Sequence, residues 1–189
     1  MKNKAKIHFI YVAIILVFFG RQQSYGQENF KGFSINPKAG FYNLSEQSSG
    51  FTIGIEAGLI QDRFIYSADI IGGKEFLFLG DPSPAEYFGE ASILMGRFTG
   101  NKYFRFLYQG GLSVFAGVKR TVLIEEGHEL FGVDHYDTRN FVTIGLPLKV
   151  GFRFTPCKYL GIGVDLHTNF NFEKTVFMPM ISLEIGRLR

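Results

Sequence analysis

Two sets of residues supply the chemistry open to this 189-residue sequence. The first lies between Arg120 and Arg139, where Glu125, Glu126, His128, Glu129, Asp134, His135 and Asp137 crowd one stretch. Imidazole and carboxylate groups together can ligate zinc or move protons as acid and base. The spacing of the two His matches no standard ligand motif. The stretch is therefore expected to be a solvated surface loop that touches a partner. No metal and no cofactor is expected.

The second set is Glu56, Asp69, Glu90, Arg105, Lys149, Arg153, Asp165, His167 and Glu184. These groups fall on the polar side of alternating segments, so the fold would gather them on one face. A line of ionisable groups inside a protein suggests an ion-selective pore or a proton relay. It equally describes a salt-bridge network that fills a narrow bore, because charges taken out of water must be paired. The second reading is preferred here.

Other chemistries find no footing. No Gly-rich phosphate loop leads from a strand into a helix. No G-x-S-x-G element occurs, and Ser67, Ser92, Ser113 and Ser182 have no adjacent His and acid. The single Cys157 rules out a disulfide scaffold and a zinc site built on several Cys. It falls in a tight turn and is read as incidental.

The elements that must carry these residues are strands. After Gln27 no amphipathic helix is found, and period-two alternation recurs between turn residues. Eight strands are predicted: Phe33–Tyr42, Gly50–Ile60, Phe64–Gly73, Glu86–Phe98, Tyr103–Lys119, Asn140–Phe154, Tyr159–Phe170 and Val176–Gly186. In the sixth, Val142, Ile144, Leu146, Leu148, Val150, Phe152 and Phe154 share one face. Thr143, Gly145, Lys149, Gly151 and Arg153 share the other. Pro147 and Pro179 cannot donate to a ladder, so each should mark a bulge or local break.

Alternation alone does not say which face meets the axis. A packed barrel core holds about twelve inward side chains, and five of these strands offer about twice that number on their apolar faces. The apolar faces thus fit outside. The opposite faces are rich in Gly (Gly54, Gly58, Gly111, Gly145, Gly151, Gly161, Gly163), which suits a narrow lumen. Aromatics gather near the strand ends. Phe41, Tyr42, Phe51, Tyr87, Phe141, Phe170 and Phe177 lie toward one side, and Phe64, Phe98, Phe104, Phe106, Phe152, Phe154 and Tyr159 toward the other. Two girdles around an aliphatic band are the pattern of outer-membrane barrels. Short connections after strands two, four and six alternate with longer ones, above all 74–85 and 120–139, which is the rule of short periplasmic turns and long external loops.

The start of the chain reads as an export signal. Lys2, Lys4 and Lys6 precede an apolar run from Ile7 to Phe19, and Ser24-Tyr25-Gly26 offers small residues for cleavage before Gln27. Thirteen residues are short of the roughly 20 needed to cross a bilayer as a helix. Removing residues 1–26, with four basic groups and no acid, takes the formal net charge from +3 to −1. A basic surface for nucleic acid then has no support. The domain expected is residues 27–189.

At the level of a family, the order of signal, eight Gly- and aromatic-rich strands, and the segment Ile144-Gly145-Leu146-Pro147-Leu148-Lys149-Val150-Gly151 ending at Thr155-Pro156 resembles the outer-membrane β-barrel domain proteins of Gram-negative bacteria. That group includes porin-like and Por-type secretion barrels. The resemblance runs from about Phe30 to Arg189. It implies an eight-stranded antiparallel up-and-down transmembrane β-barrel, and it carries no defined activity or catalytic positions. Its partners would be outer-membrane lipid, the barrel assembly machinery and other envelope proteins. Such barrels commonly finish on an aromatic residue, whereas this chain finishes Gly186-Arg187-Leu188-Arg189. The function expected is structural, adhesive or partner-docking, acting through the long external loops. Two other readings stay open: an outer-membrane enzyme acting on lipid or lipopolysaccharide with His128 or His135 as base, and a soluble periplasmic ligand-binding barrel.

Overall fold

The structure is a computed structural model and describes residues 31–44, 48–76, 84–125 and 135–188. The expected signal segment, residues 1–26, lies outside these residues. β-Branched and aromatic residues in alternation favour extended chain, and eight strands result. They are β1 (Lys31–Leu44), β2 (Ser49–Gln61), β3 (Phe64–Glu75), β4 (Tyr87–Gly100), β5 (Phe104–Glu125), β6 (His135–Phe154), β7 (Leu160–Asn171) and β8 (Val176–Arg187). Each pairs antiparallel with its neighbour in sequence, and β8 returns to β1. Closure leaves no free edge around the wall, so backbone groups facing lipid are paired.

The period-two pattern resolves in one sense. Ile53, Ile55, Leu112, Val114, Ile144, Leu146, Leu148, Ile162 and Val164 are exposed on the outer wall. Lys149, Arg153, Asp165 and His167 are buried inside. An exterior this apolar needs a hydrocarbon solvent, and a soluble barrel with apolar side chains inside is excluded by it. The chain has the architecture of a transmembrane barrel of the outer-membrane type.

The barrel has two ends. The turn end carries the β2–β3, β4–β5 and β6–β7 connections, and the loop end carries the other four. Asp62 supports the tightest turn with a left-handed backbone, φ 55°. The connection lengths depart from the expected alternation. β1–β2 and β7–β8 use four residues each (45–48 and 172–175), fewer than the five of the β6–β7 turn (155–159). Only β3–β4 and β5–β6 are long. Nor is 120–139 one loop, because β5 continues to Glu125 and β6 begins at His135. Two register shifts, between Arg120 and Leu123 and between Leu123 and Glu125, mark this extension as an irregular ribbon.

Prolines interrupt the ladders without shifting them. At Pro147 the β5–β6 pairing passes from Gly110↔Leu148 to Ser113↔Gly145, and the register is unchanged. At Pro179 the β1–β8 pairing passes from Gly40↔Met180 to Asn43↔Phe177. Pro37 does the same between Ile35↔Ile185 and Lys38↔Ser182. The missing N–H faces one neighbour only, so the break is local and no bulge forms.

The girdles need correction. Phe41, Phe51, Tyr87 and Phe177 face outward at the loop end, and Phe104, Phe106, Phe152, Phe154 and Tyr159 at the turn end. Tyr42 and Phe141 are instead buried in the bore, and Phe98 packs against the inner cluster of Ile60, Ile65 and Leu107. Their parity places them there: Tyr42 shares a face with Ser34, Asn36 and Lys38, and Phe141 shares one with Lys149 and Arg153.

Candidate functional site

The bore is built in layers along the axis. Its middle is ionic. Lys149 Nζ donates to Glu56 Oε1 at 2.6 Å, and Lys38 Nζ donates to Glu56 Oε2 at 2.9 Å. Lys38 Nζ also donates to Asp69. His167 Nε2 lies 3.0 Å from Glu90 Oε1, and its Nδ1 lies 4.0 Å from Asp69. Six groups from six strands thus form one connected chain. The ionic middle continues one layer toward the turn end, where Nη1 and Nη2 of Arg153 donate to Asp165 at 2.7 Å each and Arg105 Nη2 donates to Glu184 at 2.5 Å. Gln109 bonds Ser67 and Asn169 bonds Ser113, both at 2.8 Å.

All nine interior residues expected from the sequence lie here, each under 5% exposed. Two lumen glycines make the tightest pair possible. A Cβ at Gly163 would sit 2.3 Å from Arg153 Nη1, and one at Gly151 would sit 2.2 Å from Asp165 Oδ1. Lys38 belongs to the network and was not expected from the sequence. Its signal was present in the Ser34, Asn36, Lys38 alternation against Phe33, Ile35, Ala39 and Phe41.

Toward the loop end the bore turns apolar. Tyr42, Ile71, Phe88, Phe115, Phe141, Val176, Met178 and Met180 form one buried cluster. Phe88 stacks on Phe115 with centroids 5.0 Å apart, Phe115 stacks on Phe141 at 5.9 Å, and Tyr42 meets Phe88 edge-on at 5.0 Å. The recess above this plug is a cavity of about 10 Å³, room for about one water molecule. An eight-stranded bore is already wide enough only for side chains, and this one is filled.

A clasp of ion pairs covers the plug. Arg120 donates two bonds of 2.6 Å to the Glu75 carboxylate. Glu86 accepts from Lys174 Nζ at 2.8 Å, from the Arg120 backbone N–H at 2.9 Å and from Ser48 at 3.2 Å. Burial pushes the Glu86 carboxyl up, but the Lys174 and Arg120 bonds outweigh it and hold it below its ordinary value. Glu173 is likewise lowered, chiefly by its bond from Lys119. The clasp ties the β3–β4 and β7–β8 connections to β5.

The expected partner stretch is only partly within the described residues. Asp137 is exposed on β6. Glu125 ends β5 and His135 begins β6, paired with each other in the ladder. Glu126, His128, Glu129 and Asp134 lie outside the described residues. Beyond Tyr87↔Val118 on one side and Gly145↔Asn171 on the other, β5 and β6 pair only with each other. The ribbon so formed presents Val122 (68% exposed) and Ile124 (64% exposed), with Leu123 between them. Among the described residues no group of three or more His, Cys, Asp or Glu is placed to hold a metal ion.

No family model and no curated protein matches the chain. Solved structures do. The Neisserial surface protein A, NspA, superposes with a TM-score of 0.63 at 13% identity, covering 81% of this chain and 96% of that one. The N-terminal β-barrel domain of Pseudomonas aeruginosa OprF gives 0.58 at 9% identity, over 84% and 99%. Ail, the attachment invasion locus protein of Yersinia pestis, gives 0.57 at 9% identity, over 85% and 99%. Ail has also been solved with the heparin analogue sucrose octasulfate. At these identities the likeness is one of fold: an eight-stranded barrel of the kind found in Gram-negative outer membranes.

Proposed function

We propose that this chain is exported by cleavage of residues 1–26, folds into the outer membrane with the barrel assembly machinery, and docks an extended, apolar partner segment on the β5–β6 ribbon. The observation that carries this reading is the ribbon itself. It extends past the last β4 and β7 partners and offers exposed Val122, Leu123 and Ile124 on strand edges that no third strand joins. Such edges are templates for another strand, with side-chain pockets adding selectivity. A polyanion is a poorer fit at this end. Its described cations, Lys74, Lys119, Arg120, Arg139 and Lys174, are matched in number by Glu75, Glu86, Glu125, Asp137 and Glu173.

The remainder of the barrel is a rigid pedestal. The filled bore argues against an open pore, and the buried imidazole of His167 is bonded to Glu90 and out of reach of any substrate. The reading assigns His167 a structural part and no enzymatic step. Affiliation with the porin-like, Por-type group rests on the order of signal and eight strands together with the Ile144–Gly151 segment ending at Thr155-Pro156.

The test replaces Thr121–Asp137 by an Asn-Gly turn. Bacteria displaying the variant should lose clumping and adherence to protein-coated surfaces, while the purified barrel keeps its faster gel migration when left unheated. Undiminished adherence with the shortened ribbon would refute the docking role. Identical migration of heated and unheated wild-type chain would refute the membrane barrel.

A further inference from the structure

The turn end differs from the loop end in charge and in where that charge sits. Among the described residues it carries Arg63, Arg97, Lys102, Lys158 and Arg187, with Asp62 as the one acid outside the bore. The cations are spread around the rim rather than clustered. Arg97 lies over the Phe64 ring at 4.2 Å, Lys102 near Tyr103 at 5.1 Å, and Lys158 near Tyr159 at 4.9 Å. Arg187 is exposed and pairs in the ladder with Phe33, which is exposed beside it. Three of the five cations thus lie against an aromatic ring, and a fourth is the ladder partner of one.

We infer that this collar binds the phosphodiester headgroups of anionic phospholipids in the leaflet at the turn end, in preference to zwitterionic ones. Tyr and Phe at a membrane interface hold an amphipathic side chain at headgroup depth. A cation stacked there has its apolar stem against the wall and its charge in the headgroup layer. Arg97 and Arg187 belong to the outward set of β4 and β8, so they point along the bilayer rather than down from the turn tips. A soluble acidic protein approaching the turn tips would meet Arg63, Lys102 and Lys158 and miss these two. The collar faces lipid.

The inference rests on the membrane placement and is independent of docking by the ribbon. Each cation near an anionic surface is worth about a fivefold preference at low salt, and screening reduces it. The test reconstitutes the chain in phosphatidylcholine vesicles and measures, by spin-labelled lipids, the association of phosphatidylglycerol relative to phosphatidylcholine. The wild type should prefer phosphatidylglycerol at least fivefold at low ionic strength, and less at 0.5 M salt. The triple variant Arg97→Gln, Lys102→Gln, Lys158→Gln should lose most of the preference, with Arg63 and Arg187 keeping the remainder. Lys74→Gln, at the loop end, should keep the wild-type ratio. Heat-dependent gel migration shows that each variant is folded, and any variant that is not is replaced by the single Arg97→Gln, expected to lose part of the preference. A wild-type ratio of one overturns the inference, as does a triple variant that keeps the full preference.

Discussion

The bore's ionic middle and the loop-end clasp use the same side chains in different solvents. Arg153–Asp165 and Arg120–Glu75 are both two-pronged guanidinium–carboxylate pairs, with bonds of 2.7 Å and 2.6 Å. The first is 1% or less exposed at both side chains, whereas the second is 14% exposed at Arg120 and lies at the rim. Geometry is therefore held nearly constant while the surroundings change. A sealed pair has lost its hydration and depends wholly on its partner, so removing one side leaves an unsatisfied charge. At the rim, water can replace what a substitution removes. The middle should tolerate no single loss, and the clasp should tolerate several.

The largest expected effect breaks the middle. Asp165→Leu strands the Arg153 guanidinium in the bore and should cost about 3–5 kcal/mol, read as a lowered midpoint of urea unfolding in lipid vesicles. The double variant Arg153→Met, Asp165→Leu removes both charges and should recover most of that loss. A double variant as unstable as the single one would mean that the pair stabilises the barrel by more than mutual satisfaction.

A smaller effect sharpens the same contrast through packing. At Gly163→Ala the new methyl lies 2.3 Å from Arg153 Nη1, so the guanidinium must shift and its two bonds to Asp165 must lengthen. Overpacking of this kind costs about 1–3 kcal/mol. In the Arg153→Met, Asp165→Leu background the penalty should shrink, because the clashing group is gone.

The division between middle and rim also marks what the sequence could say. Val142 to Phe154 alternates without a fault, so the faces of β6 and the inward placement of Lys149 and Arg153 follow from parity. Lys38 obeys the same rule in β1, but Pro37 and Ala39 thin out the apolar side and weaken its signal. Position near strand ends assigns Tyr42 and Phe141 to a girdle, whereas parity puts them inside. Alternation gives the face of each residue and leaves its height along the axis undetermined, because height depends on the stagger between strands. Glu75 and Arg120 are 45 residues apart and meet only once that stagger is set. The ribbon was unreadable for another reason. Val122, Leu123 and Ile124 are consecutive apolar residues without alternation, and the register shifts of the extended strand fall across them.

At the rim, Arg120→Gln gives up two bonds to Glu75 and one to the Pro84 carbonyl, while Glu86 keeps its bond from Lys174 and water reaches the partly exposed site. The expected loss is about 1 kcal/mol or less, several-fold below that of Asp165→Leu. Loosening of the connections should be more evident than loss of stability, as faster proteolysis at the β3–β4 segment in the intact barrel. Equal destabilisation by Arg120→Gln and Asp165→Leu would erase the distinction between the two regions.

The smallest effect is one of pH. Glu86 and Glu173 are both held below the ordinary carboxylate value, Glu86 by the Lys174 and Arg120 bonds against the opposing effect of its burial, and Glu173 chiefly by the bond from Lys119. A carboxyl lowered in the folded state contributes its stabilisation fully above its unfolded value, about 4.3, and loses it as pH falls through the folded one. Wild-type barrel should therefore lose part of its urea midpoint between pH 5 and pH 3. The variant Glu86→Gln, Glu173→Gln should begin slightly less stable at pH 7 and show a smaller drop over the same range. Glu86 is buried and Glu173 is open to water and salt, so the share of the difference that comes from Glu173 should shrink at 0.5 M salt. A difference that survives high salt undiminished would place the clasp in the same electrostatic regime as the sealed middle.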